Sequence, residues 1–229
     1  MLKEMRHCIP SDHARQVWAD YYAKLLLKRG GIRRVLDLGC GDGESAGLFR
    51  SYPSVKYMGI DLKHAPICNS PRKHNGIFTV YNGINLPFSD GSFDTVYSKQ
   101  VLEHVAHPRE LIKEVYRIIS KGGYFIGSVS SMEPYHAHSL WNMTPYGLYR
   151  LVEDAGFKLV EVRPSIDIIG MMIWKAFHLS DLCIHWYLRR SPLNIMIDIL
   201  YGVSGKSKRG INYAKLMCAS QFAFMAQKP

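Results

Sequence analysis

The chain has no C-x-x-C pair, no internal repeat, no low-complexity tract and no long apolar run free of charge. Its five cysteines, Cys8, Cys40, Cys68, Cys183 and Cys218, are odd in number and widely spaced. That usage argues against a disulfide framework or a zinc site and fits a reducing, cytoplasmic setting. The most apolar stretch, Ile166 to Leu188, is interrupted by Asp167, Lys175 and Asp181, so a membrane span is not expected there. Met1 to His7 has no apolar run behind its charges, and no signal peptide is expected. Acids are scarce: 19 Asp and Glu face 29 Lys and Arg, a net charge of +10. Such an excess speaks of anionic partners or a solvated surface, and says nothing of fold.

At 229 residues, 47% hydrophobic and 21% charged, the chain is long and apolar enough to bury a real core. Ser11 to Lys28 reads as a helix capped by Ser11. Strands and helices then alternate. Strands are expected at Arg34–Leu38, Lys56–Ile60, Ile77–Tyr81, Phe93–Tyr97, Tyr124–Val129 and Phe157–Val162, with a last one at Leu216–Ala226. Helices are expected at Gly43–Arg50, at Pro108–Ser120 and after Thr144-Pro145. This rhythm predicts an α/β fold with a mainly parallel, doubly wound sheet, whose ligands bind at the carboxyl ends of the strands. About fifty residues, Pro164 to Lys215, break the rhythm and are expected to hold helices.

The sharpest local signal is Val35-Leu-Asp-Leu-Gly-Cys-Gly-Asp-Gly43. A strand runs into three alternate glycines and then a helix, as needed where backbone turns tightly or lies against a ligand. The third glycine falls one residue too early for a dinucleotide fingerprint. Asp37 suits a cationic ligand better than a pyrophosphate. The second strand ends at Asp61, 20 residues after Gly41, where a carboxylate is placed to accept hydrogen bonds from ribose hydroxyls. Taken singly, each feature also fits an ordinary turn or a surface acid; the pairing is far more specific.

With Met58-Gly-Ile-Asp-Leu62, Asn85-Leu-Pro-Phe-Ser-Asp-Gly-Ser-Phe-Asp94 and Val101-Leu-Glu-His-Val105, the sequence resembles the class I S-adenosylmethionine-dependent methyltransferases of small-molecule type. The resemblance runs from about Arg33 to Val129 and more weakly from Thr144 to Val162. It implies a Rossmann-like, seven-stranded sheet with an antiparallel last strand and S-adenosyl-L-methionine as cofactor. Gly39, Cys40, Gly41 and Gly43 would line the cofactor, Asp37 would hold its cationic end, and Asp61 its ribose. Leu62 would pack on adenine, Asn82 would accept from the adenine amino group, Gly83 would offer its N–H, and Ser98 its carbonyl to the methionine amine. The resemblance divides the chain into a helical cap (1–32), a cofactor-binding core (33–163), a helical insertion (164–215) and a last strand (216–229).

A hydroxyl acceptor would gain from a general base, and histidine has the suitable pKa. His136 and His138, after the fifth strand, are the first candidates, and His104 the next; each also reads as an ordinary hydrogen-bonding side chain. Gln100 stands where small-RNA 2′-O-methyltransferases carry a Glu, which argues against a metal site. Asp167 to Arg189 reads as one apolar helix with a polar stripe of Lys175, His178, Asp181, His185 and Arg189. It is expected to pack on its own domain or on a twin subunit in a homodimer. The sharper reading is a lid over an apolar or lipid-linked acceptor, or a peripheral membrane contact through 167–189.

The first 34 residues hold eight Lys and Arg against three acids, and 164–215 seven against three, so these segments carry nine of the ten net charges. With no nucleic-acid module visible among them, nucleic acid is not favoured. The expectation is methyl transfer to oxygen or nitrogen of a small-molecule acceptor such as a sugar, glycan precursor, lipid-linked compound or secondary metabolite. The alternatives are an RNA methyltransferase using the basic segments and a cofactor-binding partner protein without catalysis.

Overall fold

A computed structural model describes residues 3–64, 78–133, 138–177, 184–187 and 189–229. A 3-10 turn at Lys3–Cys8 precedes α1 (Ala19–Lys28), β1 (Arg34–Leu38), α2 (Ala46–Arg50), β2 (Lys56–Leu62), β3 (Phe78–Tyr81) and β4 (Phe93–Lys99). Then come a short 3-10 turn at Leu102–His104, α3 (Pro108–Ile118), β5 (Ile119–Ser130), α4 (Pro145–Asp154) and β6 (Lys158–Pro164). The chain finishes with α5 (Ile168–Phe177), α6 (Pro192–Val203), α7 (Lys208–Met217) and β7 (Gln221–Gln227).

The strands form one sheet in the order β3-β2-β1-β4-β5-β7-β6. All pairs are parallel except those of β7, which runs antiparallel to both β5 and β6. Successive strand residues face opposite sides. Leu36, Val96, Phe125 and Phe224 pack with α3 and α4, while Val35, Tyr97, Ile126 and Met225 pack with α1 and α2. Both faces are therefore covered, and the central strands can be apolar on both. Pro108 opens α3, and Thr144 caps α4 by accepting from Gly147 N at 2.9 Å.

Four expectations differ from the structure. The first helix begins at Ala19, not Ser11, because the backbone of the preceding segment is claimed by tertiary partners. Arg163 and Asn212 donate to the His13 carbonyl at 3.0 and 2.8 Å, and Lys215 donates to that of Ala14 at 2.6 Å. Val17 donates to the Pro164 carbonyl at 3.0 Å and accepts from the Ser165 hydroxyl. Second, the fifth strand runs from Ile119, and Gly122-Gly123 lie within it. A Cβ on Gly123 would stand 2.6 Å from the Asp94 carbonyl oxygen, where the register shifts. Third, Leu216 and Met217 close α7, so the last strand starts at Gln221.

The fourth difference concerns Asp167 to Arg189. Asp167 precedes α5 and serves as its cap: Oδ1 accepts from Gly170 N at 2.7 Å and Oδ2 from Asn194 N at 2.9 Å. That carboxylate therefore starts α5 and anchors α6. α5 is described over Ile168–Phe177, and residues 184–187 are helical; His178 and Asp181 lie outside the described residues. Gln16 ties this region to the N-terminal segment. Its Oε1 accepts from Ser191 N (3.1 Å) and Asn194 Nδ2 (3.0 Å), and its Nε2 donates to the carbonyls of Trp186 (2.8 Å) and Tyr187 (2.9 Å).

Arg163 is 1% exposed and bonded to Asp12, Glu161 and His13. Asp12 is 60% exposed, so losing the guanidinium costs a charge-assisted hydrogen bond, about 1.5–3 kcal/mol, and leaves no buried lone charge. Arg163→Ala is expected to lower stability by roughly that amount in urea unfolding. A loss below about 1 kcal/mol, the level of a surface pair, would refute its anchoring role.

Candidate functional site

The carboxyl ends of β1, β2 and β4 meet at the glycine loop. Gly39, Gly41 and Gly43 have φ of 72°, 57° and 83°, a region that L side chains avoid. Gly39 has a second reason: a Cβ there would lie 2.4 Å from Val101 Cγ2. Above Gly41 nothing stands within 4 Å of a Cβ position, so the loop is open on that side. Cys40 packs under it against Gly59, where a Cβ would come 2.9 Å from Cys40 Sγ.

Asp61 joins the two halves of the cradle. Its Oδ2 accepts from Gly41 N at 2.7 Å and its Oδ1 from Leu62 N at 2.7 Å. Each oxygen keeps a second lone pair for a hydroxyl donor. Partial burial raises the Asp61 pKa against the pull of these two amides. Beyond Asp61, Leu62 is 47% exposed, and a Cβ on Gly83 would sit 3.6 Å from Leu62 Cδ2. An apolar side chain displayed beside an open glycine makes a platform for a flat ring.

Two side chains differ from expectation. Asp37 is 1% exposed and accepts from the Tyr57 hydroxyl at 2.7 Å. Burial pushes its pKa up to about 7, with Asp61 nearby adding to the rise and the Tyr57 hydroxyl opposing it. It faces the tyrosine under the sheet. Asn82 Oδ1 accepts from Ile84 N (3.0 Å) and Asn85 N (2.8 Å), which occupies both its lone pairs. The Asn82 group left for a ligand is its Nδ2 donor, not its acceptor. Ser98 is the last residue but one of β4, and its carbonyl oxygen has room because Gly127 has no Cβ; one would fall 2.4 Å away.

Beside Ser98 lies a buried polar cluster that the sequence reading missed. Ser130 Oγ stands 3.0 Å from Glu103 Oε1 and 2.6 Å from Glu133 Oε2. Gln221 donates to Glu133 at 2.7 Å, and Lys175 pairs with it at 2.6 Å. Burial raises the pKa of Glu103, and Glu133 adds to the rise. Turning the Gln100 amide so that its nitrogen faces Ser130 Oγ (2.9 Å) and Glu103 Oε1 (2.8 Å) satisfies all three groups. A glutamate at position 100 would add a third carboxylate here, which explains the amide. Gln100 also holds φ at 56°, a strained value for a residue with a side chain.

Of the three candidate bases, His136 lies outside the described residues. His138 is exposed with φ of 59°, and His104 ends the 3-10 turn half-buried. Tyr22 is fully buried in the core, while Tyr21 lines a cleft of about 970 Å³ between the N-terminal segment and the insertion. That cleft reaches Lys99, the residue after Ser98. Its charged lining was not legible from sequence, because it comes from segments up to two hundred residues apart.

A glycine cradle at the carboxyl edge of a parallel sheet, closed by an acid on the second strand, defines a nucleoside-cofactor protein of the doubly wound class. Residues 36–127 match the family model described as a methyltransferase domain. Over those residues, and in its fold, the chain is similar to the class I S-adenosylmethionine-dependent methyltransferases. It is 36% identical over 99 residues to the phthiotriol/phenolphthiotriol dimycocerosates methyltransferase of Mycobacterium tuberculosis, an alignment covering 42% of the chain and 37% of that relative. The chain thus spans well under half the length of that curated relative. Among solved structures it is similar to phosphoethanolamine N-methyltransferase 2 of Haemonchus contortus: TM-score 0.59, 18% identity, 91% of this chain and 53% of that one. It is also similar to the cyclase SpnF: TM-score 0.58, 19% identity, 92% of this chain and 80% of that one. At such identities the structural likeness shows the fold alone.

Asp37 gives a pH prediction. Its folded pKa lies above its ordinary value of 3.8, so between about pH 4 and about pH 7 the native state holds a proton that the unfolded chain has released. Stability should therefore fall as pH rises through that window. Asp37→Asn should flatten the fall in urea titrations at a series of pH values; an unchanged slope would place the titration elsewhere.

Proposed function

We propose that the chain transfers a methyl group from S-adenosylmethionine to oxygen or nitrogen of a small-molecule acceptor. The observation that carries this reading is the cradle in which Asp61 grips the Gly41 amide beside the exposed Leu62. Its donor set fits the cofactor: a half-buried carboxylate for ribose hydroxyls, an open glycine surface, and an apolar platform at Leu62 and Gly83 for adenine. Gly39, Cys40 and Gly43 complete the loop, and Asn82 turns its amide donor outward. Ser98 offers its carbonyl to the methionine amine, and Asp37 acts on the same end through its charge from beneath. When bound, the cofactor supplies a methyl carbon on cationic sulfur, already activated for displacement.

The protein's share is then orientation and exclusion of water, and alignment within a near-attack distance supplies much of the rate. The acceptor enters by the cleft that reaches Lys99. His104, on the turn after β4, and His136 and His138, after β5, are the side chains to which a hydroxyl acceptor would lose its proton. Residues 1–32 act as the cap, 33–163 as the cofactor core, and 164–215 as the acceptor-side insertion, before the closing strand of 216–229.

Isothermal titration with S-adenosylmethionine tests the cofactor half. A hydrogen bond to a charged group is worth about 1.5–3 kcal/mol. Asp61→Ala is therefore expected to weaken binding roughly tenfold to a hundredfold, and undiminished affinity would overturn the ribose assignment. Transfer of a radiolabelled methyl group into extracts fractionated by polarity then finds the acceptor. If label passes only into RNA, the small-molecule reading is wrong.

A further inference from the structure

Among the described residues, nothing covers two helix faces of the insertion. On α5 the exposed residues are Ile169, Met172, Ala176 and Phe177; on α6 they are Ile195, Met196, Ile199, Leu200 and Val203. These steps of three and four place each set on one side of its helix. The exposure is large: 53% for Met172, 67% for Phe177, 61% for Ile199 and 87% for Val203. No charge interrupts either row. The starts of the helices adjoin, since a Cβ on Gly170 would stand 3.0 Å from Ser191 Cβ. Exposed apolar rows of this kind mark an interaction site.

Charge says what the partner is. Exposed Arg189 and Arg190 precede α6, and exposed Lys206 and Lys208 follow it. Behind α6 lies the cleft. Asn194, Asp198 and Gly202 line it, and Ile195, Ile199 and Val203 form the next row of the same helix. Arg15, Lys24, Lys99, Arg189 and Lys208 also line it, with no ion-pair partner among the described residues. Its three acids are engaged: Asp12 by Arg163 (2.8 Å), Asp20 by the Tyr97 hydroxyl (2.5 Å), and Asp198 by Arg190 (3.0 Å) and Lys215 (2.8 Å). One helix therefore separates an apolar outer face from a cationic inner wall.

We infer that α5 and α6 dock on an anionic lipid bilayer, and that the cleft behind α6 takes the anionic headgroup of the lipid that carries the acceptor. An apolar helix face with cations at both helix ends is the pattern of a helix lying in the interface plane. Among the described residues no helix is long and apolar enough to cross a membrane, which needs about 20 residues. The headgroup half rests on the proposed methyl-transfer reading, because it is that reading which makes the cleft at Lys99 the acceptor's entrance. The docking half stands on the faces alone.

Co-sedimentation of the full chain with phosphatidylcholine vesicles, with and without phosphatidylglycerol, tests the inference. Binding is expected to be strong only with phosphatidylglycerol and to fall as salt rises. Ile199→Asp with Val203→Asp should abolish it. Lys206→Gln with Lys208→Gln should weaken it by about fivefold per cation removed. All four side chains are exposed, so S-adenosylmethionine titration should be unchanged in both variants. That separates a failure of docking from a failure of the cofactor assignment. Absence of vesicle binding overturns the inference. So does a dimer in sedimentation velocity that Ile199→Asp dissolves, which would make this face an interface between two copies. Docking without a headgroup role would appear as vesicle binding untouched by Lys24→Gln with Lys99→Gln, and overturns the second half.

Discussion

Residues 12–17 cross the protein without forming a helix, and their backbone must be paired by other elements because an unpaired buried carbonyl is costly. β6 answers with Arg163 and Pro164, and α7 with Asn212 and Lys215. Gln16 on the segment itself satisfies the loop before α6. These bonds join the first twenty residues to the last seventy and hold the insertion against the sheet. The cleft exists because the segment is extended: a helix from Ser11 onward would turn these carbonyls inward along its own axis. Lys215 shows the strain of the arrangement. Burial lowers its pKa, and Asp198 opposes the shift by holding the ammonium charged.

The cofactor cradle depends on a smaller set of contacts. Asp61 fixes the glycine loop through one backbone amide, and the loop in turn keeps its glycines at positive φ. The carboxylate is thus pre-paired before any ligand arrives and has little freedom left to lose on binding. Asp37, two residues before the loop, is paired in the opposite sense, with a tyrosine hydroxyl in the interior. Two carboxylates on adjacent strands consequently work in different surroundings, one half-buried at the rim and one closed off.

Much of this was legible in the sequence, because the β1 loop and the β2 acid are local patterns whose spacing is set by one βαβ unit. The seven strands of the sheet and the antiparallel last strand followed from the resemblance and agree with the structure. What could not be read was every feature made by distant pairing. The apolar face of residues 11–18 looked helical, yet tertiary donors claimed its carbonyls. Asp167 looked like the first residue of one long helix; only the fold shows it capping α5 and bonding Asn194. Glu103, Ser130, Glu133 and Lys175 are dispersed over some seventy residues and meet only where β4, β5 and α5 converge.

The apolar content of the insertion was visible, but its direction was not. The helical period of Ile168–Phe177 allows a buried seam at Gly170 and Met171 and an exposed one at Met172 and Phe177, and hydropathy alone cannot say which neighbour takes which. The fold supplies the missing fact. The seam toward the protein combines Met171 and Ile197 with Gly170, Asn194 and Asp198, and further large apolar side chains stand outward. Leaving those outward side chains in water costs solvation free energy. It has a physical rationale if the medium outside α6 is itself apolar. Part of the basic excess has a place in the same arrangement, since Arg15, Lys24, Lys99, Arg189 and Lys208 line the cleft behind that helix.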